Sequence, residues 1–143
     1  MTELLDLARA VVGWAAPGEE VEAFVSRART TTARAYGGNV ESLTSAEPAG
    51  VGIRVVLPGG RQGFAPAGTL DEAVCKETLE DARDNAGFAT ADEWVGLALP
   101  DGVPAPALEV CRQDLAGVPV EDKVALALDL ERRTLAGDPR IVG

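Results

Sequence analysis

The sequence predicts an α+β fold, an antiparallel meander of four to five strands covered by helices. One helix precedes the sheet, one follows it and a further one lies near the C-terminal end. Three observations carry this expectation. Between Glu20 and Ala65, apolar and polar side chains alternate with the period of two expected of half-buried strands. On either side of that region, apolar residues recur at helical spacing instead. Clusters of Gly, Pro and Asn separate the segments, as turns require.

The first helix spans Thr2 to about Ala15, where Leu4, Ala8, Val11 and Ala15 share a face and Pro17-Gly18 ends it. Val21, Ala23 and Val25 then alternate, and Thr30 to Thr32 with Tyr36 supply the β-branched and aromatic residues that suit a pleated surface. Gly37-Gly38-Asn39 marks a turn, Val40 to Ala46 a further strand, and Pro48-Ala49-Gly50 a break. Val51, Ile53 and Val55 alternate with Gly52, Arg54 and Val56 before the tight turn Pro58-Gly59-Gly60, and Gln62 and Phe64 lie on the return strand.

Thr69-Leu70-Asp71-Glu72 has the form of a capping box, with Thr69 as N-cap. The helix after it carries Cys75, Leu79, Ala82 and Ala86 on one stripe, and Gly87 suits the C′ position. Glu80, Asp81 and Asp84 lie mostly off that stripe and form a solvated face, since no EF-hand spacing exists. Residues 88–118 hold Pro100, Pro104 and Pro106 with Gly96, Gly102 and Gly117, the composition of a functional loop or linker. A third helix is expected from Pro119 at N1 to Ala136, capped by Gly137. After Asp138-Pro139, Arg140-Ile141-Val142 has the pattern of the first residues of a strand. An apolar strand start without a partner implies a piece of a longer protein, or a strand borrowed by another chain. The expected organisation is thus 1–87 as helix, sheet and capped helix, 88–118 as an irregular segment, and 119–143 as a helix leading into a further C-terminal domain.

Composition narrows the function. The 143 residues suffice for one domain with a real core. No apolar run approaches the roughly 18 residues needed to cross a bilayer, and MTELLDLARA has no basic n-region, so a cytoplasmic protein without membrane attachment is expected. The net charge of −10 repels phosphate backbones; Arg27, Arg29 and Arg34 are offset by Glu22 and Glu41, so no nucleic-acid partner is expected. The absence of histidine removes Ser-His-Asp and Cys-His catalysis and every His-dependent metal site. Cys75 and Cys111, 36 positions apart, are expected to be small buried thiols rather than a disulfide.

No catalytic, cofactor-binding or metal-ligating residue is expected within this chain. Neighbouring carboxylates such as Asp71 with Glu72, or Asp92 with Glu93, diverge on strands and helices alike, so they cannot flank one substrate bond. Gly59-Gly60-Arg61-Gln62-Gly63 is followed by a strand, not by the helix N-terminus a phosphate cradle needs. The candidate interface is Arg54, Arg61 and Phe64, because a forked guanidinium beside an aromatic ring suits an interface better than chemistry. The plainer reading places Arg54 on the solvent side of its strand and assigns the glycines to turns and close packing.

The ordered set of signals resembles the N-terminal domain of the TldD/PmbA family, once described as modulators of DNA gyrase and regarded as zinc-dependent peptidases. The residues that carry the resemblance are Gly50-Val-Gly-Ile-Arg54-Val, Gly60-Arg61-Gln-Gly63-Phe64-Ala and Thr69-Leu-Asp71, with Asn39-Val-Glu-Ser42 upstream and Asp138-Pro-Arg-Ile141 downstream. The stretch Thr90-Ala-Asp92-Glu-Trp-Val-Gly96-Leu, leading to Leu99-Pro-Asp101, is more similar to the metal-free PmbA-like branch. The resemblance implies a non-catalytic domain of a cytosolic peptidase complex, shaping a subunit interface and an enclosed chamber. It implies a sister subunit and a peptide substrate as partners of the full-length protein. Zinc is implied only for the family's metal-bearing subunit, in a later region with a His-Glu-x-x-x-His motif. The parent would then be a metallopeptidase or its metal-free partner. The alternative is an independent interaction module that binds a partner through a sheet edge.

Overall fold

The computed structural model describes residues 2–99, 101–104, 106–110 and 112–142. In chain order the elements are α1 (Thr2–Gly13), β1 (Glu20–Arg27), β2 (Thr30–Tyr36), β3 (Asn39–Ala46), β4 (Ala49–Leu57), β5 (Arg61–Ala67), α2 (Glu72–Phe88), α3 (Gln113–Ala116) and α4 (Val120–Gly137). This is an α+β fold with the helices placed before and after the strands. The chain forms two compact units, Met1–Ala28 with Pro48–Gly102, and Arg29–Glu47 with Val103–Gly143. Among the described residues, no helix is long and apolar enough to cross a membrane.

In the first unit, β1, β4 and β5 form a three-stranded antiparallel sheet in the order β1-β4-β5. The strands therefore do not make one meander: β1 pairs with β4, and β2 and β3 form a separate two-stranded sheet. The reason lies in the register. Val21, Ala23 and Val25 stand opposite Val55, Ile53 and Val51, so three apolar cross-strand pairs direct one face inward. β2 offers only Thr31, Ala33 and Ala35 at its half-buried positions, too little apolar surface to compete for that partner.

Helices α1 and α2 share the inner side of this sheet. The core joins Val11 of α1 to Val21, Val51, Ile53, Val55 and Ala65 of the strands and to Cys75, Leu79 and Ala82 of α2. The expected stripe Cys75, Leu79, Ala82 and Ala86 is buried throughout. Burial pushes the Cys75 thiol above its ordinary range, with the charges of Asp71 and Glu72 acting in the same direction. Cys111 lies outside the described residues. Contact between α2 and β5 is backbone to backbone at Gly63, where a β-carbon would come 2.1 Å from the Ala82 carbonyl oxygen and 2.3 Å from the Ala86 nitrogen. Only glycine fits there.

The caps differ from the capping-box expectation. Asp71, not Thr69, is the N-cap of α2; its Oδ1 accepts from the N–H groups of Ala73 at 2.9 Å and Val74 at 3.2 Å. Thr69 Oγ1 instead accepts from the Asp71 N–H, because the helix begins two residues further on than the motif implied. Gly87 belongs to the last helical turn, and Ala89 caps the end in an extended conformation.

An ion-pair cluster fastens the end of α1 and the turn after it to α2. The Arg83 guanidinium donates to Glu19 through Nε and Nη2, the latter at 2.8 Å, and to the Trp14 carbonyl at 2.9 Å. Glu19 also accepts from the Ala16 N–H. Its side chain is only 10% exposed, so this pair is better shielded than the surface pairs elsewhere. The Lys76 ammonium lies 5.0 Å over the Trp14 ring on the same seam.

In the second unit, β2 and β3 pair antiparallel, with a bulge between Arg34 and Ala35, and α4 packs on the hairpin. Glu131 accepts from the Gly38 N–H at 3.0 Å. Among the described residues of this unit, no hydrophobic side chain is fully buried. Pro119 is the N-cap of α4 rather than N1, and the helix continues through Gly137 to Asp138, so Gly137 does not act as the cap. The expected strand after Pro139 is absent among the described residues. Asp138 binds the Arg140 N–H and guanidinium, and the Ile141 N–H donates to the Asp138 carbonyl, which closes a turn instead. Apart from α3, the described part of 88–118 is irregular.

Leu79→Ala is expected to destabilise the protein by about 2–5 kcal/mol, measured by chemical denaturation; a loss below about 0.5 kcal/mol would place Leu79 at the surface. The Glu19–Arg83 pair sets a pH dependence. The hydrogen bond from Arg83 holds the Glu19 carboxyl below its ordinary value of 4.5, so its contribution is full above that value and is lost as pH falls through the folded value. Glu19→Gln should therefore cost about 1–3 kcal/mol at pH 7 and show a smaller loss between pH 5 and 3 than the wild type. Equal losses in that range would show that the pair does not link folding to protonation.

Candidate functional site

Because α1 and α2 both occupy the inner side of the three-stranded sheet, strand alternation sends the other set of side chains outward. On β1 these are Glu20, Glu22, Phe24 and Ser26; on β4, Gly50, Gly52, Arg54 and Val56; on β5, Gln62, Phe64 and Pro66. The register aligns Glu22 with Arg54 and Arg54 with Phe64, and aligns Phe24 with Gly52 and Gly52 with Pro66. Val56 is buried at 5% exposure; the other residues share one face of the sheet.

At its centre Arg54 Nε donates to Glu22 Oε2 at 2.8 Å. The Arg54 side chain is 33% exposed and that of Glu22 56%, so the pair contributes little to stability, at most about 1 kcal/mol. Its effect is to cancel charge in the middle of the face. The Phe64 ring lies across the strand over Gly52, whose absent β-carbon would sit 3.1 Å from the ring edge. Phe64 remains 57% exposed, and Phe24 on the far strand is 72% exposed. Two aromatic rings thus stand in water on a sheet face, Phe24 opposite Gly52 and Phe64 lying over it, beside a self-neutralised ion pair. Exposed aromatics beside a guanidinium are the residue types that protein interfaces concentrate.

The three residues singled out from the sequence do not all meet. Arg54 and Phe64 share the outer face, directly across from each other. Arg61 lies on the other side, at the end of α2, where Nη1 stands 3.4 Å from the Gly87 carbonyl. There it faces the negative end of the helix dipole, a stabilising position for a cation. Phe24 escaped the sequence reading, although the alternation that placed Arg54 outward also places Phe24 outward.

Beside the β4–β5 turn is an open depression of about 1140 Å³, lined by Gly59, Gly60, Gln62 and residues 89–95. Its wall is fixed by the Asp92 N–H donating to the Gly60 carbonyl at 3.0 Å. Gly60 has φ +76°, and a β-carbon there would meet the Asp92 carbonyl at 2.0 Å. Trp94, 87% exposed, stands on its rim, and Asp92 Oδ1 accepts from the Trp94 N–H. Among the described residues, no three His, Cys, Asp or Glu side chains cluster to hold a metal ion, and the chain has no histidine. A peptidase zinc does not fit these residues, and no chemistry is assigned through one.

Arg27, Arg29 and Arg34 each lie beside a carboxylate, Glu3 at 3.9 Å, Glu47 at 2.5 Å and Glu41 at 3.3 Å respectively. The arginines of the β1–β2 region are therefore paired and do not form a basic stripe.

Residues 21–89 match the model of PmbA/TldA metallopeptidase domain 1. Among solved structures, the chain is similar to TldE from Thermococcus kodakarensis, with a TM-score of 0.69 and 22% sequence identity over 91% of this chain. The chain spans 29% of the length of that structure. No curated protein matches the chain. The matched residues hold the three strands of the outer face and the helix that closes its inner side, and this part of the chain is a PmbA/TldD-family N-terminal domain.

Proposed function

We propose that this chain is the non-catalytic N-terminal domain of a TldD/PmbA-type peptidase complex, acting in cytosolic peptide or protein proteolysis. In this reading it shapes a subunit interface and the wall of a substrate chamber. The observation that carries it is the outer sheet face. Phe24 and Phe64 are exposed beside the neutralised Arg54–Glu22 pair, while the inner face is already filled by two helices. A surface of that kind stabilises an assembly by removing aromatic area from water, at about 25 cal/mol per Å². Its partner is the remainder of the full-length protein or a sister subunit, and the peptide substrate reaches chemistry supplied there. The stretch Thr90 to Gly96 supports the metal-free PmbA-like branch for the parent. The acidity and the paired arginines support a protein that does not bind nucleic acid.

A second reading is favoured by one observation. Among the described residues β3 pairs only with β2 and is exposed along its whole length, which leaves its other edge for a partner strand. An independent module would use that edge and not the aromatic face.

The test is the double variant Phe24→Asp with Phe64→Asp in the full-length protein, co-expressed with its sister subunit. Both positions are exposed, so the circular dichroism spectrum should stay that of the wild type. Association measured by sedimentation should weaken at least about 30-fold, as for loss of an aromatic hot spot. Unchanged association would remove the face from the interface. Association lost instead on inserting a proline at Thr44 would favour the strand edge.

A further inference from the structure

We propose that the second unit, the β2–β3 hairpin with α4, opens cooperatively as a separate folding unit while the first unit stays folded. Three observations lead there, and none depends on the family or on the proposed interface.

The first is where the apolar core sits. Every fully buried hydrophobic residue among those described, from Val11 to Ala86, belongs to the first unit. Helix α4 has 18 residues and none of them is buried. Leu126 and Leu130 are about two-thirds exposed, and on the hairpin Val40 and Leu43 are nearly half exposed. A lone helix of this length and a lone two-stranded hairpin are each marginal in water, and here they cover one another only in part.

The second is chain topology. The hairpin is an excursion between β1 and β4, and its root is closed within the first unit. Arg27 stands opposite Ala49, and the Ala28 N–H donates to the Pro48 carbonyl at 2.8 Å. Residues 29–47 can therefore lose their pairing while the β1–β4 ladder keeps every bond. Helix α4 follows the first unit in sequence, so its opening breaks no strand of the sheet. No crossing connection has to be undone.

The third is the kind of contact that holds the second unit together. Its ion pairs among the described residues, Arg29 with Glu47, Arg34 with Glu41, Arg112 with Asp114, Arg132 and Arg133 with Asp129, and Arg140 with Asp138, are exposed or nearly so and link neighbours in sequence or across one hairpin. Such pairs are screened by water and salt. The Gly38–Glu131 hydrogen bond between hairpin and helix is exposed as well. The first unit has instead the shielded Glu19–Arg83 cluster and the interlocked contact at Gly63.

Native-state hydrogen exchange along a guanidinium series on this chain tests the proposal. Ladder amides of β2 and β3 and the interior amides of α4 should open together, with protection at least about a hundredfold below that of Leu79 and Ala82. Leu79→Ala should lower protection in α2 and leave that of α4 unchanged, because α4 already exchanges through the smaller opening. Val124→Ala, at a half-buried position of α4, should lower α4 and the hairpin together and leave α2 unchanged. The proposal is overturned if α4, the hairpin and α2 exchange in one step with one denaturant dependence. A fall in α4 protection with Leu79→Ala that equals the fall in α2 would overturn it too.

Discussion

The approach of α2 to β5 at Gly63 is the constraint on which the first unit depends. A β-carbon at that position would lie 2.1 Å from one helix backbone atom and 2.3 Å from another, so the helix sits on the strand with no side chain between them. Everything else about the sheet follows from that choice of side. With α2 pressed on Gly63, its neighbours Ala65 on β5 and Val55 and Ile53 on β4 must face the core, where Leu79 and Cys75 meet them. Period-2 alternation then leaves Arg54, Phe64 and Phe24 no place but the opposite face. The exposed aromatic patch is thus the geometric complement of the packed one. The same glycine that builds the core also determines which residues are free to bind.

Much of this was legible in the sequence, and the parts that were not have identifiable physical reasons. The alternation of Val51, Ile53 and Val55 with Gly52 and Arg54 fixes a strand and its two faces, and the Cys75–Leu79–Ala82–Ala86 stripe fixes the buried side of α2. Strand partners were another matter. Alternation says which face is apolar but not which strand lies alongside, and β1 reaches over the whole hairpin to find β4. Helix ends were misplaced by a residue or two, because Thr69 and Asp71 are equally good caps on paper. The hydrogen bonds to Ala73 and Val74 decide for Asp71. Gly87 and Gly137 looked like terminators, yet both helices run through them. The Arg140 tail looked like a strand, but a turn held by Asp138 is a local bond that needs no distant partner.

The candidate site was legible to the same degree. Arg54 and Phe64 could be placed together by parity, and Phe24 by the same rule. The same rule separates Arg61, which stands three positions before Phe64 on β5 and so falls on the opposite face. The Glu19–Arg83 cluster gave no local signal: its partners are 64 positions apart and meet only once α1 and α2 share a face. Its consequence is a first unit closed around one core, with Phe24 and Phe64 of the outer sheet left exposed along with Leu5, Phe88, Trp94 and Leu99. The second unit is different in kind, a hairpin and a helix with leucines still in water.

The most direct measurement is the stability of Gly63→Ala beside that of Gly87→Ala, each by guanidinium denaturation. Both changes add one methyl group, but only the first adds it between two backbones; nothing lies within 4 Å of the Gly87 position. Gly63→Ala should lose about 3 kcal/mol or more, since backbone cannot yield as a side chain does. Gly87→Ala, inside a helix, should be neutral or gain up to about 1 kcal/mol. A Gly63→Ala protein within about 0.5 kcal/mol of the wild type would contradict the account, because α2 would then not rest on that strand.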